Sequence, residues 1–464
     1  MRTVLFWFRR DFRITDNTAL HAAATEARQV VPVYLLSKWN REHGWTGPNR
    51  QSFLCGSLRS LAGNLEAIGS KLIVRSGDAV PTLIKLAQAC GADAIYANRD
   101  PDPFGKMVEA QLETSCAEAG IRLQLFDDAA LHRPDEVLTG SGTMYRVYTP
   151  YSRNWMSLPK VQPTGRVRKL GSPATVDSDP LPSLETWGLC AAAGGVIEAG
   201  EKAARARMTA FLSGPIFEYA DKRNIPAGTT SSRLSQDLRF GLISIRELYA
   251  KCVEARDASA TANQRKGVHT FLGELAWREF YFAILHHYPH VLDRDFNPDY
   301  AAVRWDEPGE DFERWKAGQT GFPIVDAAMR QLAETGFMHN RSRMIVAMFL
   351  TKDLHVHWWH GERYFMQTLV DGEIASNNGG WQWSAGTGAD AAPYFRIQNP
   401  WTQSERFDVD GDYIKSWVPE LRDQSSSRLH AAPLTPLAKG YPLPMLEHGK
   451  ERQETLLRFK EAKR

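Results

Sequence analysis

One segment of the chain concentrates side chains that suit ligand binding and redox chemistry better than they suit a generic core. Residues 371–400 read DGEIASNNGGWQWSAGTGADAAPYFRIQNP. Asn377 and Asn378 carry amides that both donate and accept hydrogen bonds. Trp381 and Trp383 are large, oxidisable aromatic surfaces, and the two glycines before them let a backbone approach a partner closely. The combination predicts a binding site, with a well-packed junction between a turn and a helix as the alternative.

A second segment, residues 228–241, predicts a site for an anion. Its sequence, GTTSSRLSQDLRFG, sets Ser231, Ser232 and Ser235 around Arg233 at a predicted helix start. Hydroxyl groups, free backbone N–H groups and the positive end of a helix together suit a phosphate. A Ser/Thr-rich helix cap that binds no ligand is the alternative.

A third segment, residues 271–282, predicts a buried helix, because FLGELAWREFYF is apolar almost all round. A carboxylate, an indole and a guanidinium on one side of this helix would line a cavity, or else form a buried ion pair beside a core tryptophan. Helical spacing brings four residues to that side: Glu274, Trp277, Arg278 and Tyr281.

A fourth segment, residues 321–344, predicts another helix with cationic side chains near its end. Asn340, Arg343 and Met344 share a helical face, and Arg341 lies beside them. Ordinary solvated charges are the alternative explanation for the two arginines. The conjunction of this segment with the other three favours a common binding site.

The elements that must position these side chains differ between the two parts of the chain. In the first 130 residues, short apolar runs alternate with helical patterns, and residues 50–68 and 79–91 predict two of the helices. This alternation predicts an α/β domain with a doubly wound, Rossmann-like parallel sheet. No GxGxxG or Walker A sequence follows the first strand, which disfavours a conventional dinucleotide site there. The predicted strands are Val4–Phe8, Val30–Leu36, Leu72–Val74, Ala94–Tyr96 and Leu123–Phe126.

Beyond this first domain, residues 1–130, the composition changes twice. Residues 131–200 are rich in Pro, Gly, Ser and Thr, which predicts an interdomain linker. Residues 201–464 carry helical periodicity almost throughout. They predict an all-α second domain that ends in a charged helix from about Leu446.

Composition limits the compartment and the partners. A chain of 464 residues is long enough for two or three domains. The net charge of +2 is small for a protein that coats nucleic acid, so any basic face must be local. Mean hydropathy of −0.39 and an N-terminus interrupted by arginines favour a cytoplasmic protein without a membrane span. The cysteines lack the spacing of a zinc site or a disulfide framework: Cys55, Cys90, Cys116, Cys190 and Cys252.

These motifs together resemble the DNA photolyase/cryptochrome family, most closely the bacterial class I cyclobutane pyrimidine dimer (CPD) photolyases. The resemblance begins at FWFRRDFRITDNTAL and continues through WREFY, GFPIVDAAMRQL, MHNR, DGE, NNGGWQW and DAAPYFRIQNP. It implies an N-terminal antenna-binding domain and a helical FAD-binding catalytic domain. It also implies a carbon-carbon lyase that repairs CPDs in UV-damaged DNA, by light-driven electron transfer from reduced FAD to a flipped-out dimer, without a metal.

The resemblance assigns roles to individual residues, motif by motif. FAD is expected to contact Tyr219, Ser231, Ser232, Arg233, Leu234, Ser235, Phe271, Asp371, Gly372, Glu373 and Asn377, the last facing N5 of the flavin. The flipped dimer is expected to meet Glu274, Trp277, Asn340, Met344 and Trp383. Contacts with DNA are expected from Arg223, Arg278, Arg341, Arg396 and Gln403. Catalytic roles fall to Glu274 and Asn377, and electron transfer to Trp381, Trp358 and Trp305.

The same positions separate repair enzymes from their relatives. Asn377 is the photolyase type, whereas cryptochromes usually carry Asp or Cys there. The paired histidines of (6-4) photolyases are not found, since Asn340 follows His339 and Met344 occupies the second position. A cryptochrome-type blue-light photoreceptor and a (6-4) photolyase are the alternatives. A flavin oxidoreductase or NAD-linked enzyme is more remote, because no nicotinamide site is recognisable.

A second, antenna chromophore is expected in the cleft between the domains, unless it is absent altogether. Folate-binding relatives carry a Glu near Gly105 and a Cys-Lys pair near Leu292–Asp293, and this chain has neither. Residues 98–106, NRDPDPFGK, are closer to deazaflavin-binding relatives, so a deazaflavin-type antenna is favoured over folate. The expected assembly is a monomer.

Overall fold

The computed structural model describes residues 1–36, 44–171, 176–191 and 194–462. Its strands are β1 Thr3–Phe8, β2 Gln29–Leu36, β3 Ile73–Ser76, β4 Ala94–Asn98 and β5 Arg122–Phe126. They form one parallel sheet in the order β3-β2-β1-β4-β5, and each lies within about two residues of its predicted position. The α/β prediction is therefore confirmed. The strand order reverses beside β1, and the carboxyl ends of the strands at such a point form a crevice for ligands.

Different parts of the chain cover the two faces of this sheet. The first helices are α1 Thr18–Glu26, α2 Pro48–Glu66, α3 Ala79–Ala89 and α4 Pro103–Glu118. Successive residues of a strand point to opposite faces. Leu5 and Trp7 of β1 therefore join a core with α3 and α4. Phe6 and Phe8 join a larger core that includes α1 and α2 and continues into the helical part of the chain.

The predicted linker holds more structure than its composition indicates. Helix α5, Tyr148–Ser157, lies inside residues 131–200, and the sequence analysis misses it because YTPYSRNWMS mixes polar residues and a proline into one short helix. Tyr151 and Trp155 are buried, and Trp155 Nε1 donates a 2.7 Å hydrogen bond to Glu279. This segment packs against the helical part of the chain. The domain limits at residues 130 and 200 stay a prediction.

Beyond residue 200 the described chain is helical, and no strand follows β5 within it, as the periodicity predicts. The predicted charged terminal helix is confirmed as α19. No helix in the described ranges combines the length and the apolar character that a bilayer span needs. A π-helix covers Phe349–Asp353, and short 3-10 helices cover Leu184–Trp187, Pro215–Glu218, Pro289–Leu292, Pro298–Tyr300 and Pro419–Leu421. The α-helices are α6 Glu201–Leu212, α7 Tyr219–Lys222, α8 Ser235–Arg239, α9 Ile245–Asp257, α10 Ala262–His287, α11 Glu310–Ala317, α12 Pro323–Thr335, α13 Asn340–Met348, α14 Trp358–Thr368, α15 Ile374–Ala385, α16 Pro400–Phe407, α17 Asp412–Trp417, α18 Ser426–Leu429 and α19 His448–Glu461.

A buried charge cluster joins the sheet to the helices. Arg13 and Arg246 both donate to the carboxylate of Asp128, at distances of 2.7 to 2.8 Å. Asp16 accepts from Arg246 at 3.3 Å and from Ser244. All five residues are less than 6% exposed. We call this cluster the seam; it consists of Arg13, Asp16, Asp128, Ser244 and Arg246.

Candidate functional site

Asn377 lies on α15, which carries the NNGGWQW motif as one helix. Its Nδ2 donates a 3.0 Å hydrogen bond to the backbone carbonyl of Glu362. A carbonyl only accepts, so this contact fixes the amide and leaves Oδ1 to accept from another group. Neither glycine of the motif has a positive φ angle. Gly379 instead allows close packing, because a Cβ there would overlap the ring of Tyr281.

Asn378 is the structural member of the asparagine pair. It is buried, and its Nδ2 donates to Val291 O at 2.9 Å and to Glu362 Oε1 at 3.1 Å. Its Oδ1 accepts from Gln382 at 3.1 Å. Burial raises the pKa of Glu362 to about 7, against the opposing hydrogen bond from Asn378. The sequence analysis does not identify Glu362, because nothing in its local sequence separates it from a solvated acid.

The acidic loop of residues 371–373 is held by arginines from both parts of the chain. Arg343 Nη2 donates to both carboxylate oxygens of Asp371, at 3.0 and 2.8 Å. The carbonyl of Gly372 accepts from Arg239 Nε at 3.0 Å. Glu373 pairs with Arg10, which follows β1, while its Oε1 has no hydrogen-bond partner within the described chain. The loop therefore lies where the sheet and the helices meet.

Arg233 combines an unusual backbone with an unsatisfied side chain. Its φ angle is +52°, a left-handed value that is uncommon for a residue other than glycine. Its guanidinium lies 3.5 Å from the ring centre of Phe337, and among the described atoms its buried Nε has no hydrogen-bond partner. Burial lowers the pKa of Arg233, and the negative charge of Asp371 opposes that shift. Strained, desolvated cations of this kind are typical of ligand sites.

The serines next to Arg233 in the sequence differ in exposure. Ser231 and Ser232 are half-buried, and Ser235 is exposed at the start of α8. The backbone N–H of Leu234, which is itself buried, donates to Ser232 Oγ at 3.4 Å. The other serine hydroxyls keep their capacity to bind a ligand.

An aromatic wall with a charged edge forms where α10 meets α5 and α7. The ring of Trp277 stacks on Tyr148, with centroids 3.6 Å apart and planes 8° from parallel. One turn earlier Glu274 pairs with Arg223, and burial raises the pKa of Glu274 against the opposing charge of Arg223. The sequence analysis misses Tyr148, although the aromatic-rich stretch YRVYTPY inside a predicted linker is a signal that could identify it.

Two further predicted site residues are aromatic and contact each other. Tyr219 and Phe271 contact each other edge to face, with centroids 5.4 Å apart. Phe271 is buried and Tyr219 is half-buried. The predicted pair thus comes together although the two residues are far apart in sequence.

The predicted DNA contacts divide into two groups. Arg341 Nη2 donates to Asn224 at 2.8 Å, and its Nε is buried without a partner in the part of the chain described. Burial, then Arg223, lowers the pKa of Arg341 to about 10. Arg396 is exposed and Gln403 is half-buried on α16. Arg278 differs, because its Nη1 donates to Ala129 O at 2.7 Å and thus points into the junction with the first part of the chain.

The remaining predicted pocket residues lie on the same two helices. Asn340 is exposed at the start of α13, and Met344 is half-buried one turn later. Trp383 is half-buried on α15, two residues after Trp381. Asn340 and Met344 thus share α13 with Arg341, and Trp383 shares α15 with Asn377.

The three predicted electron-transfer tryptophans differ in burial. Trp381 is buried, and its Nε1 has no hydrogen-bond partner within the described residues. Trp358 is fully buried, and its Nε1 donates to Asp295 at 2.8 Å. Trp305 is half-buried and contacts the ring of His357 at 5.3 Å. Two of the three therefore lie in the core, and Trp305 lies closer to the surface.

A separate cavity of about 320 Å³ opens at the carboxyl ends of β1 and β2. Its walls include aromatic residues of the sheet and the first turn of α4, and Arg239 and Ile374 from the helical part close it. Burial raises the pKa of Asp102, which lies in this wall, to about 7. A mostly apolar cavity with a few polar groups suits a planar organic ligand.

Comparison with known proteins agrees with this architecture. The family profile described as "DNA photolyase" matches residues 4–168, and "FAD binding domain of DNA photolyase" matches residues 271–461. The deoxyribodipyrimidine photo-lyase of Synechococcus sp. is 40% identical, over 96% of this chain and 94% of the relative. The structure of a bacterial class III photolyase from Agrobacterium tumefaciens matches with a TM-score of 0.93 at 36% identity, covering 100% and 98% of the two chains. A cryptochrome of Synechocystis sp. matches with a TM-score of 0.90 at 28% identity, covering 98% and 99%.

Proposed function

Because this chain belongs to the DNA photolyase family, we propose that it repairs cyclobutane pyrimidine dimers in DNA with FAD bound in its helical part. When bound and reduced, FAD supplies under light the electron that opens the cyclobutane ring. The observation that carries the proposal is the stack of Trp277 on Tyr148 beside the pair of Glu274 and Arg223. This is an aromatic wall with a carboxylate edge, which suits an extruded pair of pyrimidines.

The residues present fit FAD. The unpartnered Nε of Arg233 and the hydroxyls of Ser231 and Ser235 suit a diphosphate, which carries negative charge and accepts hydrogen bonds. The unpartnered Oε1 of Glu373 suits a polar N–H or O–H group of the cofactor. Tyr219, Leu234, Phe271, Asp371 and Gly372 complete the proposed set.

Asn377 would set the chemistry of the flavin edge. Its amide nitrogen is committed to Glu362 O, so Oδ1 would accept a hydrogen bond from an N–H of the reduced ring. An aspartate here would place negative charge beside the same edge and disfavour a reduced, anionic ring. This orientation supports the role of Asn377 in a reduced-flavin enzyme.

The lesion would leave the helix and enter the pocket, as in base-flipping enzymes, photolyases among them. Trp277 and Trp383 would stack against the extruded bases, and Glu274 would bind their polar edge. Asn340 and Met344 would close the pocket. Arg223, Arg341, Arg396 and Gln403 would hold the DNA backbone around the opening. Arg278, which is directed at Ala129, would act on DNA only through the junction.

The competing function is light sensing without repair. Photolyase and cryptochrome structures match the chain with TM-scores of 0.93 and 0.90, so the overall fold does not decide between them. Asn377 and the half-buried wall of Trp277 and Tyr148 favour repair. A (6-4) photolyase is disfavoured because Asn340 and Met344 stand where that enzyme needs histidines.

The test is repair of an oligonucleotide that carries one thymine dimer. Chemically reduced holoprotein is illuminated with blue light, a dark sample is the control, and a (6-4) oligonucleotide is the second substrate. We expect intact thymines only from the dimer and only in light. Repair of the (6-4) lesion alone would replace the assignment with that class. Absence of repair with bound, photoreducible FAD would assign the chain to the sensors.

We also propose a deazaflavin-type antenna in the 320 Å³ cavity. Gly105 lines this cavity, and a Cβ there would overlap Asp100 and approach Arg9. The glutamate that folate-binding relatives carry near this position would therefore not fit. Reconstitution with deazaflavin should add an absorption band whose excitation drives photoreduction of FAD. Equal uptake of a folate would contradict the proposal.

A further inference from the structure

Trp359 is an exposed indole in direct contact with the buried Trp358. The two residues begin α14, and their ring centroids lie 6.4 Å apart. Trp358 is 0% exposed, whereas Trp359 is 46% exposed. Trp359 is nevertheless fixed, because its Nε1 donates to Leu292 O at 3.1 Å and its backbone N–H donates to His357 Nδ1 at 3.2 Å. The pair forms a continuous aromatic path from the core to solvent.

The path from Trp358 to Trp305 is interrupted by an imidazole. Trp305 contacts His357 at 5.3 Å, and His357 contacts Trp358 at 5.2 Å. Burial lowers the pKa of His357, although Asp295 opposes the shift, so the ring is neutral at neutral pH. A neutral imidazole is harder to oxidise than an indole. The described ring contacts therefore link Trp305 to Trp358 through an imidazole that resists oxidation, whereas Trp359 contacts Trp358 ring to ring.

The inner end of the path, Trp381 on α15, packs against α14. The indole of Trp381 packs against Gly361, one turn after Trp358, and a Cβ at Gly361 would overlap it. Trp381 also contacts Trp315, with centroids 6.2 Å apart. Trp315 is 0% exposed, and its Nε1 is bound to Val346 O. A radical cation on Trp315 would remain in the core, so the route from Trp381 to solvent runs along α14.

We propose that Trp359 is a second surface terminus for electron entry to the flavin, alongside Trp305, an inference that rests on the proposed roles of Trp381 and Trp358. An electron that leaves Trp381 for the light-excited, oxidised cofactor leaves a radical cation on that indole. Trp358 then donates an electron to the Trp381 radical cation, and Trp359 donates one to Trp358. The radical cation on Trp359 releases its Nε1 proton to water. A thiol in the medium then returns one hydrogen atom, which restores the indole and leaves a thiyl radical.

The first test is photoreduction of oxidised holoprotein under blue light in the presence of a thiol. The variants are Trp305→Phe, Trp359→Phe, the double variant, and Trp358→Phe. Trp417→Phe is the control, because Trp417 ends a different helix, α17, at the edge of the same core. We expect each single surface variant to keep photoreduction and the double variant to lose it. Trp358→Phe should lose it as well. Loss of photoreduction in Trp305→Phe as complete as in the double variant would overturn the proposal.

The second test identifies the oxidised tryptophan chemically. Light without a thiol should leave oxidation products on Trp359, detected by peptide mass spectrometry, in wild type and in Trp305→Phe, but not on Trp417. An unoxidised Trp359 would overturn the proposal, as would a wild type that does not photoreduce. Every variant is also reduced chemically and tested for dimer repair. If no sample repairs the dimer, wild type included, the proposed function is rejected. The photoreduction pattern then tests the role of Trp359 on its own.

Discussion

Arginines in two regions differ in how completely the chain satisfies their side chains, and they are buried in the seam but half-buried in the candidate site. In the seam, Arg13 and Arg246 share the carboxylate of Asp128 at 2.7 to 2.8 Å. In the candidate site, the Nε atoms of Arg233 and Arg341 have no partner within the described residues. A buried cation is costly unless it is paired. The seam charges therefore belong to the fold, whereas the site arginines are best explained by anionic groups from outside the chain.

One buried carboxyl in each region, Asp128 in the seam and Glu362 in the candidate site, shows the same contrast. Burial alone would raise the pKa of Asp128, but Arg13 and Arg246 hold it well below its usual range. Burial raises the pKa of Glu362 to about 7, and only a neutral amide, Asn378, opposes it. Both carboxyls are buried, so the opposite directions come from the neighbouring cations. Burial of Asp128 is therefore compensated by two cations, whereas burial of Glu362 is opposed only by a neutral amide.

The largest effect is expected at the seam. Asp128→Ala leaves two buried guanidinium groups without their shared counter-ion, so we expect a loss of about 3–5 kcal/mol in the free energy of unfolding. Urea unfolding followed by circular dichroism measures it. Asp135→Ala, which removes a carboxylate that is about half exposed, is the control and should change little. A similarly small effect of Asp128→Ala would remove the distinction between the regions.

The next effect is a pH dependence at Glu362. Its folded pKa of about 7 lies above the ordinary glutamate value of 4.5, so its contribution to stability is fully present below that unfolded value and is lost as pH rises through about 7. The loss is on the order of 3 kcal/mol. Glu362→Gln should flatten the fall in stability between pH 4.5 and 7, while Glu313→Gln, at an exposed position, should not. An unchanged pH profile in Glu362→Gln would show that the carboxyl ionises freely.

The sequence predicts the architecture better than it predicts this contrast. The strands are found because short apolar and β-branched runs alternate with helical patterns, and NNGGWQW is recognised as a binding segment from its residue types. The stack of Tyr148 on Trp277 is missed because its partners are 129 positions apart. Whether an arginine is paired is not visible either, since Arg246 and Arg233 both lie within two residues of a helix start and both have neighbouring serines. Pairing depends on tertiary contacts with Asp16 and Asp128, which spacing does not encode.

A smaller effect is expected for Arg233, and it should separate ligand binding from folding. Arg233→Gln removes a cation that lacks a hydrogen-bond partner at its Nε, so the apoprotein should unfold at nearly the same urea concentration as wild type. Loss of hydrogen bonds to a charged group should weaken FAD binding by about 1.5–3 kcal/mol, or roughly tenfold to a hundredfold in Kd. Flavin fluorescence titration measures the affinity, with the exposed Arg256→Ala as control. Loss of apoprotein stability with unchanged FAD affinity would place Arg233 with the seam.

The smallest expected effect distinguishes two arginines that the sequence treats alike. Arg341 is bound to the side chain of Asn224 and keeps an unpartnered Nε, whereas Arg278 is bound to Ala129 O inside the junction. Arg341→Ala should therefore weaken binding of dimer-containing DNA and reduce the slope of log K against log salt by about one unit. Arg278→Ala should leave that slope unchanged and lower stability instead, because it removes a contact between the two parts of the chain. Fluorescence anisotropy over a salt series measures the slope. If the two variants change the slope equally, the partners of a half-buried arginine do not separate its role in the fold from its role on DNA.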